Sequence, residues 1–211
     1  MKNLKKFTIS RAGIVSIVSI GVVLFSISTI ETGKKTVPFQ VTESTLMLSG
    51  ASGQDKWSLQ ANSIASTGDF QTQENELLDI SNLSFKLAVK QLKSTNHQQE
   101  SILQDLFSKN GCSELTFKQS HVMILPILKR AHVIGNFSML NGGYNIPLQL
   151  HYELNEGRSL RIWGKQVVSL SEFGIKIPSY ENGRIDDEIE LAIDFTLVNK
   201  SEERPYLMVK N

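Results

Sequence analysis

Between Ile146 and Leu154 apolar and polar positions alternate without a break. Ile146, Leu148, Leu150, Tyr152 and Leu154 fall on one side, and Pro147, Gln149, His151 and Glu153 on the other. A side-chain period of two is that of a β-strand with one buried and one wet face. Upstream, Phe137 and Met139 lead into Asn141-Gly142-Gly143, residue types that tolerate positive φ and so predict a tight reversal. One hairpin cannot bury its own apolar face, so more strands of this kind are required.

They follow in chain order. Alternation runs through Ser44–Ser49, then through Trp57, Leu59 and Ala61, with the turn-forming residues Gly50 to Lys56 between. Residues 68–76 are polar and predict an exposed turn or sheet edge. Leu78–Leu92 places Phe85, Leu87 and Val89 on one face, with Ser84, Lys86, Ala88 and Lys90 on the other. The rhythm changes at residues 96–110, where Ile102, Leu103, Leu106 and Phe107 take helical spacing and Gly111 can end the helix. Strands resume at Ser113–Gln119, Val122–Leu128 and Arg158–Leu170. Phe173–Asn182 reads as a loop, and Ile189, Leu191, Ile193, Phe195 and Leu197 give the last clean alternation. Eight or nine strands with hairpin-like turns predict an all-β fold, either a closed antiparallel barrel or a sandwich, with one short α-helix.

Charge changes the picture at the N-terminus. Lys2, Lys5, Lys6 and Arg11 precede residues 12–30, a run of 19 uncharged and mostly apolar residues. That order predicts an N-terminal apolar helix, a signal peptide or a membrane anchor, with the uncleaved anchor favoured and the basic flank left in the cytoplasm. The net charge of +1 hides an asymmetry: from Glu31 onward 18 basic residues face 21 acidic ones, a net −3. A mildly acidic body lacks the footprint of a nucleic-acid binder. With 40% apolar residues the chain can build a real core. A single cysteine, Cys112, cannot form an intrachain disulfide.

Candidate chemistry is sparse. The four histidines, His97, His121, His132 and His151, have no metal-ligand spacing. Ser52, Ser63 and Ser171 lack a nucleophile-elbow context, and no phosphate-binding glycine loop occurs. Asp186-Asp187-Glu188 lacks the spaced oxygens of a calcium loop and reads as a solvated strand start. The informative set is apolar: Phe85, Leu87, Phe117, Phe137, Leu148, Leu150, Tyr152, Ile193 and Phe195 are the candidate interior and ligand-binding residues. From pattern alone they either fill a dry core or line a ligand cavity.

Four stretches taken together resemble the YceI-like family of lipocalin-like lipid-binding barrels. STLMLSGASGQDKW (44–57) is similar to its early strand, small-residue turn and tryptophan. Residues 89–117 carry a strand ending LKST, a short helix around ESILQDLF and a return strand SELTF. Residues 135–150 are similar to its glycine-bearing hairpin, and 168–195 to its Phe-Gly-Ile loop and final acidic-apolar strand. The chain departs from the family at Asn96–Gln99, Cys112–Glu114 and Gly143–Asn145. The resemblance implies a closed lipocalin-like barrel over 39–198, after a signal or anchor at 1–30 and a linker at 31–38, and before a flexible tail at 199–211. It implies non-enzymatic binding of an apolar lipid, an isoprenoid or isoprenoid quinone, with no other cofactor and no metal. The basic flank and apolar run imply an exported, periplasmic protein tethered to the inner membrane through its N-terminal segment. A second copy of the chain, forming a homodimer, is a further candidate partner. The alternative is a ligand-free structural or interaction module of the envelope with a filled core.

Overall fold

A computed structural model describes residues 36–37, 39–73, 75–140, 142–155, 158–178 and 185–200, all within one compact unit of residues 34–211. The N-terminal apolar segment, Asn141, the Glu156-Gly157 turn and residues 201–211 lie outside the described residues. Ten strands and one α-helix are described: β1 (Thr36–Val37), β2 (Phe39–Ser52), β3 (Asp55–Asn62), β4 (Ala65–Gln73), β5 (Glu76–Ala88), α1 (His97–Lys109), β6 (Glu114–Leu125), β7 (Arg130–Ser138), β8 (Gly143–Asn155), β9 (Ser159–Ser169) and β10 (Glu188–Asn199). Short 3-10 turns, Val89–Gln91 and Pro126–Leu128, follow β5 and β6. Part of the expected linker is therefore a strand, because Thr36 and Val37 pair with Gln71 and Phe70 of β4.

All strands belong to one antiparallel sheet, in the order β1-β4-β5-β6-β7-β8-β9-β10-β2-β3. β5 and β10 stand five ladders apart, which in a flat sheet is about 24 Å. Yet the rings of Phe85 on β5 and Phe195 on β10 lie 6.4 Å apart. The sheet is thus strongly curled into a half-barrel around a single apolar interior. β3, one edge of the sheet, and β4, next to the other edge strand β1, are linked by Ser63 and Ile64 alone, a sharp corner with Ser63 at φ 59°. The Ser44 hydroxyl ties that corner down, accepting from Ile64 N at 2.9 Å. No ladder between β3 and β4 is present among the described residues; instead β3 pairs backbone to backbone with Lys93, through Gln60, at 2.7 and 2.8 Å.

Strand direction gives the half-barrel two unlike ends. β6 leaves the helix at Glu114 and runs about 36 Å to Leu125. The helix end is stoppered by α1, whose Leu103, Leu106 and Phe107 are buried. Ile102, on the predicted apolar face, is instead exposed. Asn96 caps the helix start by accepting from Gln98 N and Gln99 N, and Gly111 at φ 79° ends it in the left-handed conformation. The Asn110 side chain then joins the helix to the loop after β9, donating to Lys176 O and accepting from Lys176 N. The opposite end carries the β4–β5, β6–β7 and β8–β9 turns, and the described chain enters the sheet there, at β1 and the start of β2.

Three local features depart from simple alternation. Residues 68–76, read as an exposed turn or edge, lie largely in β4, and Phe70 and Thr72 are buried. β6 is one strand rather than two: a bulge at Ser120 shifts the inward set from Leu115 and Phe117 to Val122 and Ile124. In β5 the inward positions step from Leu77 to Ile80 to Leu83 before settling into Phe85 and Leu87, with Asn82 at φ 55°.

Candidate functional site

All nine sequence-predicted site residues line the inner face, and each is between 0 and 3% exposed. Their strands put them there by pairing. Phe85 sits opposite Phe117, and Phe117 opposite Phe137, across β5, β6 and β7. Leu148 and Leu150 face Val133 and Ala131, and Tyr152 faces Ile162, which in turn faces Phe195. Leu87 pairs with Leu115, and Ile193 with Leu46. Gln149, one residue from Leu150, is exposed on the outer face, as the strand period requires.

The interior has two halves. Toward the helix end the aromatic rings interlock: Phe85 stacks on Phe117 at 5.3 Å and meets Phe137 and Phe195 at 6.4 Å each. Gly135 permits this, because a Cβ there would come within 2.3 Å of the Phe117 ring. Phe173 of the Phe-Gly-Ile loop closes the floor, edge-on to Phe137 at 5.4 Å and to Tyr144 at 5.3 Å. Gly174 of that loop adopts φ 78°, a conformation that favours glycine. Toward the other end the wall is aliphatic, formed by Leu77, Ile80, Ala131, Val133 and Leu150, with Tyr152 near the rim.

Among the described residues no charged side chain is buried, and the buried polar ones are Ser44 and Thr72. Two further buried hydroxyls have no hydrogen-bond partner, those of Ser66 and Tyr152. Ser66 pairs with Phe85 and so shares the inner face. Tyr152 lies under the Lys129 ammonium, 5.7 Å from its ring centroid. Its pKa is raised, chiefly by burial and secondly by the Glu76 carboxylate. The Leu77 backbone pulls weakly the other way, but no hydrogen bond of ordinary geometry joins the two. These hydroxyls carry no sequence signal beyond their place in an alternating strand. Ser66 in particular sits in β4, which sequence reasoning took in part for a turn.

The remaining candidates are structural or lie outside the interior. Cys112 is buried with its thiol pushed up to about 12 by desolvation. Asp187 holds the turn after β9, accepting from Ser171 N at 2.8 Å and from the hydroxyls of Ser169 and Ser171. His151 stacks on Trp163 at 5.6 Å on the outer face, more enclosed than a simply solvated residue. Among the described residues no group of three or more His, Cys, Asp or Glu side chains could hold a metal. Shallow grooves of about 640 Å³ beside α1 and about 580 Å³ beside Trp163 open on the outer surface rather than inside.

Comparison with solved structures bears on this interior. BcnA of Burkholderia cenocepacia superposes with a TM-score of 0.62 at 11% identity, over 72% of this chain and 95% of its own. A polyisoprenoid-binding domain from Saccharophagus degradans, implicated in plant cell wall breakdown, gives 0.54 at 8% identity, over 77% and 99%. The YceI protein of Campylobacter jejuni gives 0.52 at 14% identity, over 95% and 99%. The fold is YceI-like. At these identities the likeness extends to architecture alone. No protein-family model matches the chain, and no curated protein matches it in sequence.

Proposed function

We propose that this protein binds an apolar lipid chain, an isoprenoid or isoprenoid quinone, inside the curled sheet, and carries or stores it without chemical change. The observation that carries the reading is the inner wall itself: it is continuous, apolar and free of buried charge among the described residues. Each methylene transferred from water to such a wall contributes about 0.8 kcal/mol, so a long chain needs no ionic anchor. The Tyr152 hydroxyl, buried without a partner, supplies a polar contact for a carbonyl or hydroxyl on an otherwise apolar ligand. The YceI-like fold, with a polyisoprenoid-binding domain among its bearers, supports the same ligand class. In this reading the Ser63–Ile64 corner and the Lys93 bridge complete the enclosure as a closed barrel. This reading places the chain along the aliphatic wall of the Tyr152 half, away from the interlocked phenylalanines. The charge asymmetry around residues 12–30 supports an exported, periplasmic body tethered to the inner membrane.

The dense aromatic packing of the helix half favours a second reading, a filled barrel that acts as an envelope module. Native mass spectrometry of the full chain, extracted gently from membranes, separates the two, with solvent extraction of any bound lipid. An adduct of lipid mass, lost on delipidation and regained on incubation with an isoprenoid, is expected. A wild-type protein that carries no lipid and takes none up would favour the filled barrel.

A further inference from the structure

The end of the sheet opposite α1 presents an apolar point to solvent. In the Pro126–Leu128 turn Ile127 is 97% exposed and Leu128 61%, and Met123, on the strand leading to it, is 54% exposed. These side chains are not on a loose loop. Lys129 takes the left-handed conformation at φ 50° and donates its N–H to Pro126 O at 3.1 Å, while its own carbonyl accepts from Tyr152 N at 3.0 Å. Its ammonium bonds to Asn75 O at 3.1 Å, locking the β6–β7 tip to the neighbouring β4–β5 turn. Single exposed apolar residues are ordinary, but two adjacent aliphatic ones fixed at the apex of a hairpin, with a third behind them, are not.

We propose that this tip inserts into an anionic lipid surface and holds the Tyr152 end of the interior against it. Three features of the molecule select a bilayer over another occupant. Lys129 and Arg130 directly follow the apolar residues, the order of an apolar wedge with a basic collar suited to anionic headgroups. The described chain enters the sheet at this same end, at Thr36, and only five residues, 31–35, separate it in sequence from the uncharged run of residues 12–30. The ring of Tyr152, whose buried hydroxyl has no partner, lies under the Lys129 ammonium at the tip. The inference deepens the lipid-binding reading and rests on it for its purpose: an apolar ligand would pass between bilayer and interior without crossing water.

The test uses the full chain in vesicles. Cys112 is buried and its thiol is protonated at neutral pH, so a polarity-sensitive maleimide dye can be placed selectively by Ile127→Cys, and by Ser108→Cys on exposed α1 as the far-end control. Vesicles of phosphatidylglycerol carry brominated acyl chains as quencher. Interfacial side chains sit roughly 5–10 Å into the headgroup boundary, so the dye at 127 should lose about half its emission or more, and the dye at 108 almost none. Replacing phosphatidylglycerol by phosphatidylcholine should weaken the effect, and adding Leu128→Asp to Ile127→Cys should remove it. Equal, weak quenching at both sites overturns the proposal. So does a blue shift at 127 that needs no vesicles and grows with protein concentration, because a second copy of the chain then covers the tip. Extracted lipid is measured separately: quenching without extractable lipid keeps the docking and removes the lipid-binding reading, and lipid without quenching does the reverse.

Discussion

The two ends of the half-barrel solve different problems with the same strands. At the helix end every device ties elements together. Asn96 caps α1, Asn110 bonds in both directions to the loop after β9, Asp187 gathers the Ser169–Ser171 turn, and aromatic rings fill the space between. At the tip end the turns are short, aliphatic residues face water, and the Tyr152 hydroxyl is buried without a partner. The helix half keeps loose contacts of its own, the unpartnered Ser66 hydroxyl opposite Phe85 and the exposed Ile102, Tyr144 and Val167, but they are scattered, whereas at the tip Ile127, Leu128 and the Tyr152 hydroxyl lie together. Unsatisfied groups and exposed apolar residues at one pole of a well-packed protein mark where a ligand or surface completes the structure.

That contrast can be broken most forcefully in the wall between the poles. Leu150→Lys buries an ammonium with no carboxylate among the interior residues described, and should cost at least about 4 kcal/mol or prevent folding. Gln149→Lys, on the outer face, should stay within about 0.5 kcal/mol of the parent and keep any bound lipid. Thermal melts and extracted lipid per mole compare the two, and equal behaviour would mean that this face lines no interior. Next comes Phe137→Ala, which removes a ring from the helix-half cluster and should cost about 3–5 kcal/mol by urea titration. Tyr152→Phe at the opposite pole deletes a hydroxyl that makes no hydrogen bond, so stability should hold or rise slightly while the preference for lipids with a polar head declines. A large loss of stability in Tyr152→Phe would show that the hydroxyl is structurally engaged.

Smaller effects sharpen the helix end. Asn96→Ala removes acceptors for Gln98 N and Gln99 N and should cost about 1 kcal/mol. The Glu100 carboxyl accepts from Ser94 N and pairs with Lys93, and the first of these contacts does most to hold its pKa below the ordinary 4.5. A depressed carboxylate contributes stability that is present above its unfolded pKa and lost as pH falls through the folded one. Hydrogen exchange in the first turn of α1 should therefore speed up as the pH falls below the ordinary carboxylate value of 4.5, and less so in Glu100→Gln. An unchanged acid response in that variant would assign the effect elsewhere.

How much of this was legible in the sequence depended on the regularity of each strand. β8 and β10 alternate cleanly, and their inward residues were readable one by one. β5 and β6 carry bulges, and a bulge inverts parity without any marker in composition. Asn82 at positive φ and Ser120 look like ordinary surface residues until the register is seen. β4 was hidden for a different reason: Ala65–Gln73 is mostly small and polar, and Phe70 alone gives it an apolar signal. Helix α1 was readable from its spacing, but its outward Ile102 was not, since periodicity gives a stripe and not its edges. The interior candidates followed from strand parity and so were found. The Ser66 and Tyr152 hydroxyls and the apolar tip depend on missing partners and on exposure, which are properties of three-dimensional neighbours.

The β2–β10 ladder also governs when the fold can be completed. Phe195 pairs with Ser44, and the Thr42 hydroxyl donates to Thr196 O across 154 residues of sequence. The ladders from β4 to β10 join strands that follow one another in the chain, and can zip as each hairpin is made. The β2–β3 hairpin, made early, must wait with a bare edge until nearly the whole chain has been synthesised. Loop closure over such a span is slow, and an unpaired edge invites association with other chains in the meantime. The arrival of β10 thus completes the sheet around β2, and a chain ending before Glu188 would leave β2 without one of its two neighbours.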